Sequence, residues 1–175
     1  MIYKNIIITG IASCIMFVFV TYCHALQIKS SLEIQGGNIT INPQEFSILP
    51  EYLQARLIYQ IDRDNPHYRK SKKKIGKHYQ HFHHWGAAII KEKRAFSAPL
   101  IDKRDSYLRH AKSEYEYLIK HCSQNSRFKY YFYYKYGNLS LLQNNLKSAM
   151  QSFMKSINLN KNYYPAYQSL SNAYT

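Results

Sequence analysis

The sequence predicts an all-α chain of antiparallel helical hairpins, and three observations carry that prediction. Near the C-terminal end, residues 34 apart correspond: Tyr133 with Tyr167, Gly137 with Ser171, and Ser140 with Tyr174. Apolar residues fall in helical stripes, first Leu146, Ala149, Phe153 and Ile157, then Tyr163, Tyr167, Leu170 and Tyr174. Short polar or proline-bearing turns separate the stripes, as antiparallel neighbours require.

The repeated stretch organises the rest. Ala149 and Phe153 stand as A-x3-F and are followed by Ile157 and Leu159. That order and period resemble the tetratricopeptide repeat (TPR), a helix-turn-helix unit of 34 residues. The resemblance covers one full repeat and the first helix of a second, within residues 127–175. It implies packing roles for Tyr133, Gly137, Ala149, Phe153 and Tyr167. Tyr133 is the large residue of the first helix, Gly137 allows close crossing beside Tyr136, and Ala149 opens the second helix. Phe153 packs back on the first, and Tyr167 repeats the position of Tyr133. The chain departs from the family pattern at Ser140, Ser156 and Lys161, where Tyr, Ala and Pro are usual. Gln143-Asn144-Asn145 reads as the turn, with Asn144 suited to a left-handed backbone. One such hairpin cannot bury its face alone and needs stacked neighbours.

From the N-terminus, residues 1–25 read as a signal peptide or membrane anchor. Lys4 precedes an uncharged run from Ile6 to Val20, long for a signal core and short for a membrane span. Ala25 is the expected last residue before cleavage. A lipobox ending at Cys14 fits less well, because the apolar run continues beyond it. Lys4 against the later Glu33, Glu45 and Glu51 places the body outside the cytoplasm.

Residues 26–49 form a linker or a short β-hairpin. Leu32 and Ile34 flank Glu33, Gly36-Gly37-Asn38 turns, Ile39 and Ile41 flank Thr40, and Pro43 closes the segment. Residues 50–126 read as helical, degenerate repeats. Pro50 opens a first helix through Ile61, and Pro66 a long second one reaching Phe96, with Ile75, Tyr79, Phe82, Ile89 and Phe96 on one side. A third runs from about Leu100 to Cys122. Six helices in succession result. Cys122 ends the stripe Leu108, Ala111, Tyr115, Leu118, which makes it a small buried hydrophobe. The final helix, ending at Thr175, serves as a cap, as the edge of a fragment, or as a surface that a partner completes.

The chain of 175 residues is 46% apolar, carries 18 Tyr and has a net charge of +14. That charge points to an acidic partner or, equally, to A- and T-rich codons shared by Lys, Asn, Ile and Tyr. On the second helix Arg69, Lys70, Lys72, Lys73, Lys74 and Lys77 form a basic run. It reads as a solvated face or as an anion-binding surface for acidic lipid headgroups, acidic polysaccharide or an acidic protein. The exported N-terminus argues against nucleic acid. His78, His81 and His84 follow at spacings of three, with His83 and Trp85 among them. One helix presents at most two well-placed imidazoles, so packing is favoured over a metal site.

Only 10 acidic residues are present, and they form no acid/base pattern. No phosphate loop, nucleophile elbow or metalloprotease motif occurs, so neither an enzyme nor a cofactor is expected. The TPR resemblance implies a scaffold that binds another protein or peptide in envelope or secretion assembly. Its groove would be lined by Tyr131, Tyr134 and Lys135, with Tyr130 beside them. The alternative is a polyanion- or metal-binding surface protein acting through the Lys/His-rich helix.

Overall fold

The computed structural model describes residues 32–34, 39–59, 62 and 64–174; the segment 1–25 lies outside the described residues. Among the described residues two short strands come first, β1 (Leu32–Ile34) and β2 (Ile39–Ile41). They pair antiparallel with Leu32 opposite Ile41 and Ile34 opposite Ile39, the hairpin that the alternation predicts. Ile39 and Ile41 turn into the core, and Thr40 faces out.

Eight α-helices and one 3-10 helix follow among the described residues, where the sequence predicts six helices. The first addition is α1 (Pro43–Ser47), where Pro43 starts a helix rather than closing a strand. Its signal is a capping box. The Asn42 side chain accepts from the Glu45 N–H at 2.8 Å, and Glu45 accepts from the Asn42 N–H at 3.1 Å. After α2 (Glu51–Ile58) comes α3 (Pro66–Ile75), opened by the Asn65 cap with Pro66 in the first turn.

The second addition corrects the long helix expected from Pro66 to Phe96. It stops at Gly76, whose φ of +91° and ψ of −163° leave helical space. A glycine takes that conformation without a Cβ penalty. The chain then passes through the 3-10 turn Lys77–His81 into α4 (Phe82–Ser97). Tyr79 and Phe82 are fully buried, whereas Phe96, expected on the same side, is 66% exposed in the last turn of α4.

From α4 onward each helix packs on the next: α5 (Ile101–His121), α6 (Lys129–Leu142), α7 (Leu146–Leu159) and α8 (Tyr164–Asn172). The α6–α7 turn carries Asn144 at φ 57°, and Asn145 caps α7 by accepting from the Ser148 N–H. Alternate helices also touch, since α6 reaches α4 through Trp85 and Phe132 and lies against α8.

The core is aromatic at its centre. Phe82 meets Tyr79, Trp85, Phe128 and Phe132 edge-on, at centroid distances of 5.2 to 6.2 Å. Such T-shaped pairs add about 0.5–1.5 kcal/mol beyond burial. Leu108, Ala111, Tyr115, Leu118 and Cys122 are all buried, as their stripe predicts, and burial pushes the Cys122 thiol up to about 11. The β-hairpin is tied on by Arg94 of α4, which grips Glu45 through two bonds of 2.7 Å and donates to the Thr40 carbonyl. No helix among the described residues is long and apolar enough to cross a membrane.

Candidate binding surface

The basic run does not act as one patch. Lys72, Lys73 and Lys74 fill the last turn of α3, where the exposed carbonyl end favours cations. Arg69 pairs with Asp64 at 2.8 Å, and the Lys72 ammonium lies 5.9 Å from the Tyr68 ring centre. Lys77 lies past the Gly76 break beside His78. Of this run Lys70 and Lys74, exposed and one turn apart on the helix, border a cleft. With His67, Ser71 and Ile75 they form one wall of this cleft of about 630 Å³. Glu51 and Tyr52 of α2, and Arg127, Phe128 and Tyr130 at the start of α6, complete it. His67 lies 2.9 Å from the Glu51 carboxylate. Among the described residues Lys70, Lys74 and Arg127 form no ion pair; the Arg127 guanidinium rests 4.8 Å from the Phe128 ring centre.

The histidines separate as well. His84 is buried, with Nδ1 2.6 Å from Glu114 of α5, whose other oxygen accepts from Lys91 at 2.6 Å. His81 reaches the Tyr117 hydroxyl, and Tyr117 stacks between His84 and His121 at 3.6 and 3.8 Å. No group of three His, Cys, Asp or Glu side chains among the described residues is placed to hold a metal ion. Neither His78, His81 and His84 nor any other set converges on one point.

His83 has a measurable consequence. Burial, then the adjacent Arg56 guanidinium and His84, lowers its imidazole to about 3, against the opposing pull of the Gln80 carbonyl and Glu114. The unfolded chain therefore takes up the proton first, near pH 6.5. Stability is complete above that value and declines as the pH falls toward 3. His78 and His81 shift the same way, also through burial first. Thermal unfolding followed from pH 7 to pH 5 should show this decline, shallower in His83→Gln. Identical slopes for the two proteins would show that His83 does not carry it.

At the C-terminal hairpin, Gly137 of α6 lies against Phe153 of α7, which shares a small buried cluster with Ala149. Ala149 and Phe153 are fully buried, and a Cβ on Gly137 would stand 2.5 Å from the Phe153 ring. Tyr133 is half-buried, with the Lys155 ammonium 5.4 Å from its ring centre. Tyr167 differs from expectation. It is 43% exposed and Tyr174 is 69% exposed, while Ala166 and Ala173 take the buried side of α8. Small residues let α8 approach α7 closely, and the rings are left on the far side.

Tyr131 and Tyr134 belong to a row of rings crossing the helices. Tyr52 of α2 meets Trp85 of α4 at 5.7 Å, and Trp85 meets Tyr131 at 5.4 Å. Tyr131 meets Tyr134 at 6.4 Å, and Tyr134 meets Tyr163 at 5.2 Å. Tyr131 and Tyr134 stay half-buried. Lys135 is engaged by Glu92 of α4, so it stitches α6 to α4. Burial, then the Glu92 charge, pushes the Tyr131 hydroxyl far up. Trp85 Nε1, Glu92 Oε1 and Tyr115 OH are buried without a hydrogen-bond partner among the described residues.

Glu92, Glu114 and Lys91 are absent from the sequence reading. Their partners lie 23 to 43 residues away, and no local spacing marks such pairs. Compared with known proteins, the chain matches no family model, no curated protein and no solved structure.

Proposed function

We propose that this chain is a helical scaffold of the TPR type that binds another protein, and that its apolar N-terminal segment exports it or anchors it to a membrane. The observation that carries the reading is the row of rings on alternate helices, half-buried at Tyr52, Tyr131, Tyr134 and Tyr163 and buried at Trp85. In a hairpin array those first-type helices (α4, α6 and α8) line one face, and Tyr131 and Tyr134 present rigid, amphipathic area there. The contact of Gly137 with Phe153 supports the same architecture, since it sets the close crossing the array needs. Lys135 positions α6 through Glu92 more than it meets a partner.

The test uses a photo-crosslinking residue at position 134 and, as a control, at Lys147 on the exposed side of α7. A discrete protein adduct is expected from position 134 alone, and Tyr134→Ala should lose the same partner in a chain that circular dichroism shows to be still helical. Equal adducts from both positions would defeat the groove assignment. A reporter active only outside the cytoplasm, fused after Thr175, reads location separately, and an inactive fusion would remove the export argument.

A further inference from the structure

We infer that the cleft between α3 and the start of α6 holds an acidic peptide segment carrying one large apolar side chain; this rests on the peptide-binding reading above and names the partner's chemistry. Three cations line the cleft, and among the described residues none pairs with a carboxylate. The carboxylate that lines the cleft among the described residues, Glu51, is engaged by His67.

Spacing favours a peptide. Side chains four apart on a helix, such as Lys70 and Lys74, stand about 6 Å from each other. Same-face residues of an extended strand stand about 6.6 Å apart, so alternate acidic residues meet both lysines in register. Arg127 closes the far wall. Between the walls Tyr52, Phe128, Tyr130 and Ile75 offer an apolar floor, and about 630 Å³ accommodates a large side chain with adjoining backbone.

The cleft also continues the row of rings. Tyr52 leads to Trp85, and Tyr130 packs on Tyr163 at 4.9 Å. A segment seated in the cleft would leave it along the face proposed for the partner. Charge steers toward the same place, because residues 117–175 hold seven Lys and Arg and no Asp or Glu. A flat anionic membrane would engage Lys72, Lys73 and Lys77 as readily as Lys70 and Lys74. The concave wall selects the latter two.

The experiment measures fluorescence anisotropy of the purified full chain with a labelled Glu-Glu-Phe-Glu-Glu peptide. Comparison probes replace Phe by Ala, replace each Glu by Lys, or use vesicles of phosphatidylglycerol. The acidic Phe peptide is expected to bind, more weakly at higher salt. Lys70→Gln/Lys74→Gln should weaken it about tenfold, as the loss of two partly screened ion pairs implies, with Lys72→Gln/Lys73→Gln within about twofold of the unaltered chain. Equal losses from the two variants, or vesicle binding without peptide binding, would overturn the cleft assignment. Circular dichroism confirms that both exposed substitutions leave the fold intact. The crosslink from position 134 is independent of these lysines. If it persists while the acidic peptide fails, the cleft falls and the scaffold stands; if it is lost while the peptide binds through Lys70 and Lys74, the reverse holds.

Discussion

Glu114→Ala is expected to destabilise the fold by about 3–5 kcal/mol, the usual result of removing one partner from a buried ion pair. Glu114, His84 and Lys91 are all buried, and the carboxylate meets the His84 ring nitrogen and the Lys91 ammonium, each at 2.6 Å. Alanine would leave Lys91 in a low-dielectric interior with no counter-charge. A domain of this size is stable by about 5–15 kcal/mol in total, so a large share of the molecules would unfold on mild heating. Glu114→Gln should cost less, because the amide keeps the shape and one acceptor. Adding Lys91→Met to Glu114→Gln should recover stability, since the unpaired charge is then gone. Thermal and urea unfolding of the four proteins measures this directly, and a Glu114→Ala loss below about 1 kcal/mol would show that water reaches the site.

The same carboxylate gives an acid signature. Burial pushes its pKa up, but the bonds and charges of His84 and Lys91 outweigh that and hold it below its ordinary 4.5. In acid the unfolded chain therefore binds this proton before the folded one does. The contribution is complete above pH 4.5 and is lost as the pH falls below it. Glu45 adds in the same direction, chiefly through its hydrogen bond from Arg94. This loss begins only below pH 4.5, whereas that of His83 begins near pH 6.5, so between those two values the histidine contribution is read without it.

What the sequence makes legible follows from the range of the interactions involved. The hairpin of α6 and α7 was readable because its determinants are local and periodic. Leu146, Ala149, Phe153 and Ile157 recur at helical spacing on α7, and Asn144 stands in a turn whose polar neighbours mark it. The strand pair β1–β2 was readable by alternation, and the burial of Cys122 by its stripe. Two further elements also carry local signals. Asn42, Pro43 and Glu45 spell a capping box, and Gly76 stands alone within a run that otherwise reads as helix. The candidate site was less legible. Its cations are visible as a run, but which two border the cleft depends on how α3 packs beside α2 and the start of α6, which no linear pattern gives. The carboxylates that hold Lys91 and Lys135 come from other helices, and nothing in a linear pattern announces them.

The second large effect is expected where α6 crosses α7. Phe153→Ala should cost about 3–5 kcal/mol, because it removes the one large side chain fully buried in the small cluster with Ala149 and Ala173. Gly137→Ala acts from the other side of the contact. Its Cβ would meet Cε1 and Cδ1 of Phe153 at 2.5 and 2.8 Å, and a buried ring cannot swing clear. The loss is about 2 kcal/mol, from overpacking partly offset by the better helix propensity of alanine. Combining the two changes reverses the sign. In the Phe153→Ala background the new methyl group enters empty space, so Gly137→Ala should then stabilise. A double-mutant cycle by thermal unfolding reads this, and additive losses would mean that the crossing relaxes freely around position 137.

The Gly76 break has a bearing on time as well as on shape. Of the ten residues in α3 only Tyr68 is buried, held between Tyr59 at 3.6 Å and Tyr79 at 5.1 Å. No hydrogen-bond ladder carries across Gly76 into the helices beyond. The amide protons of α3 should therefore exchange with solvent through a local opening, while those of α4 to α7 wait for unfolding of the whole core. An occupant bridging Lys70, Lys74 and Arg127 would slow exchange in α3 selectively, which makes this helix a built-in reporter of its own cleft.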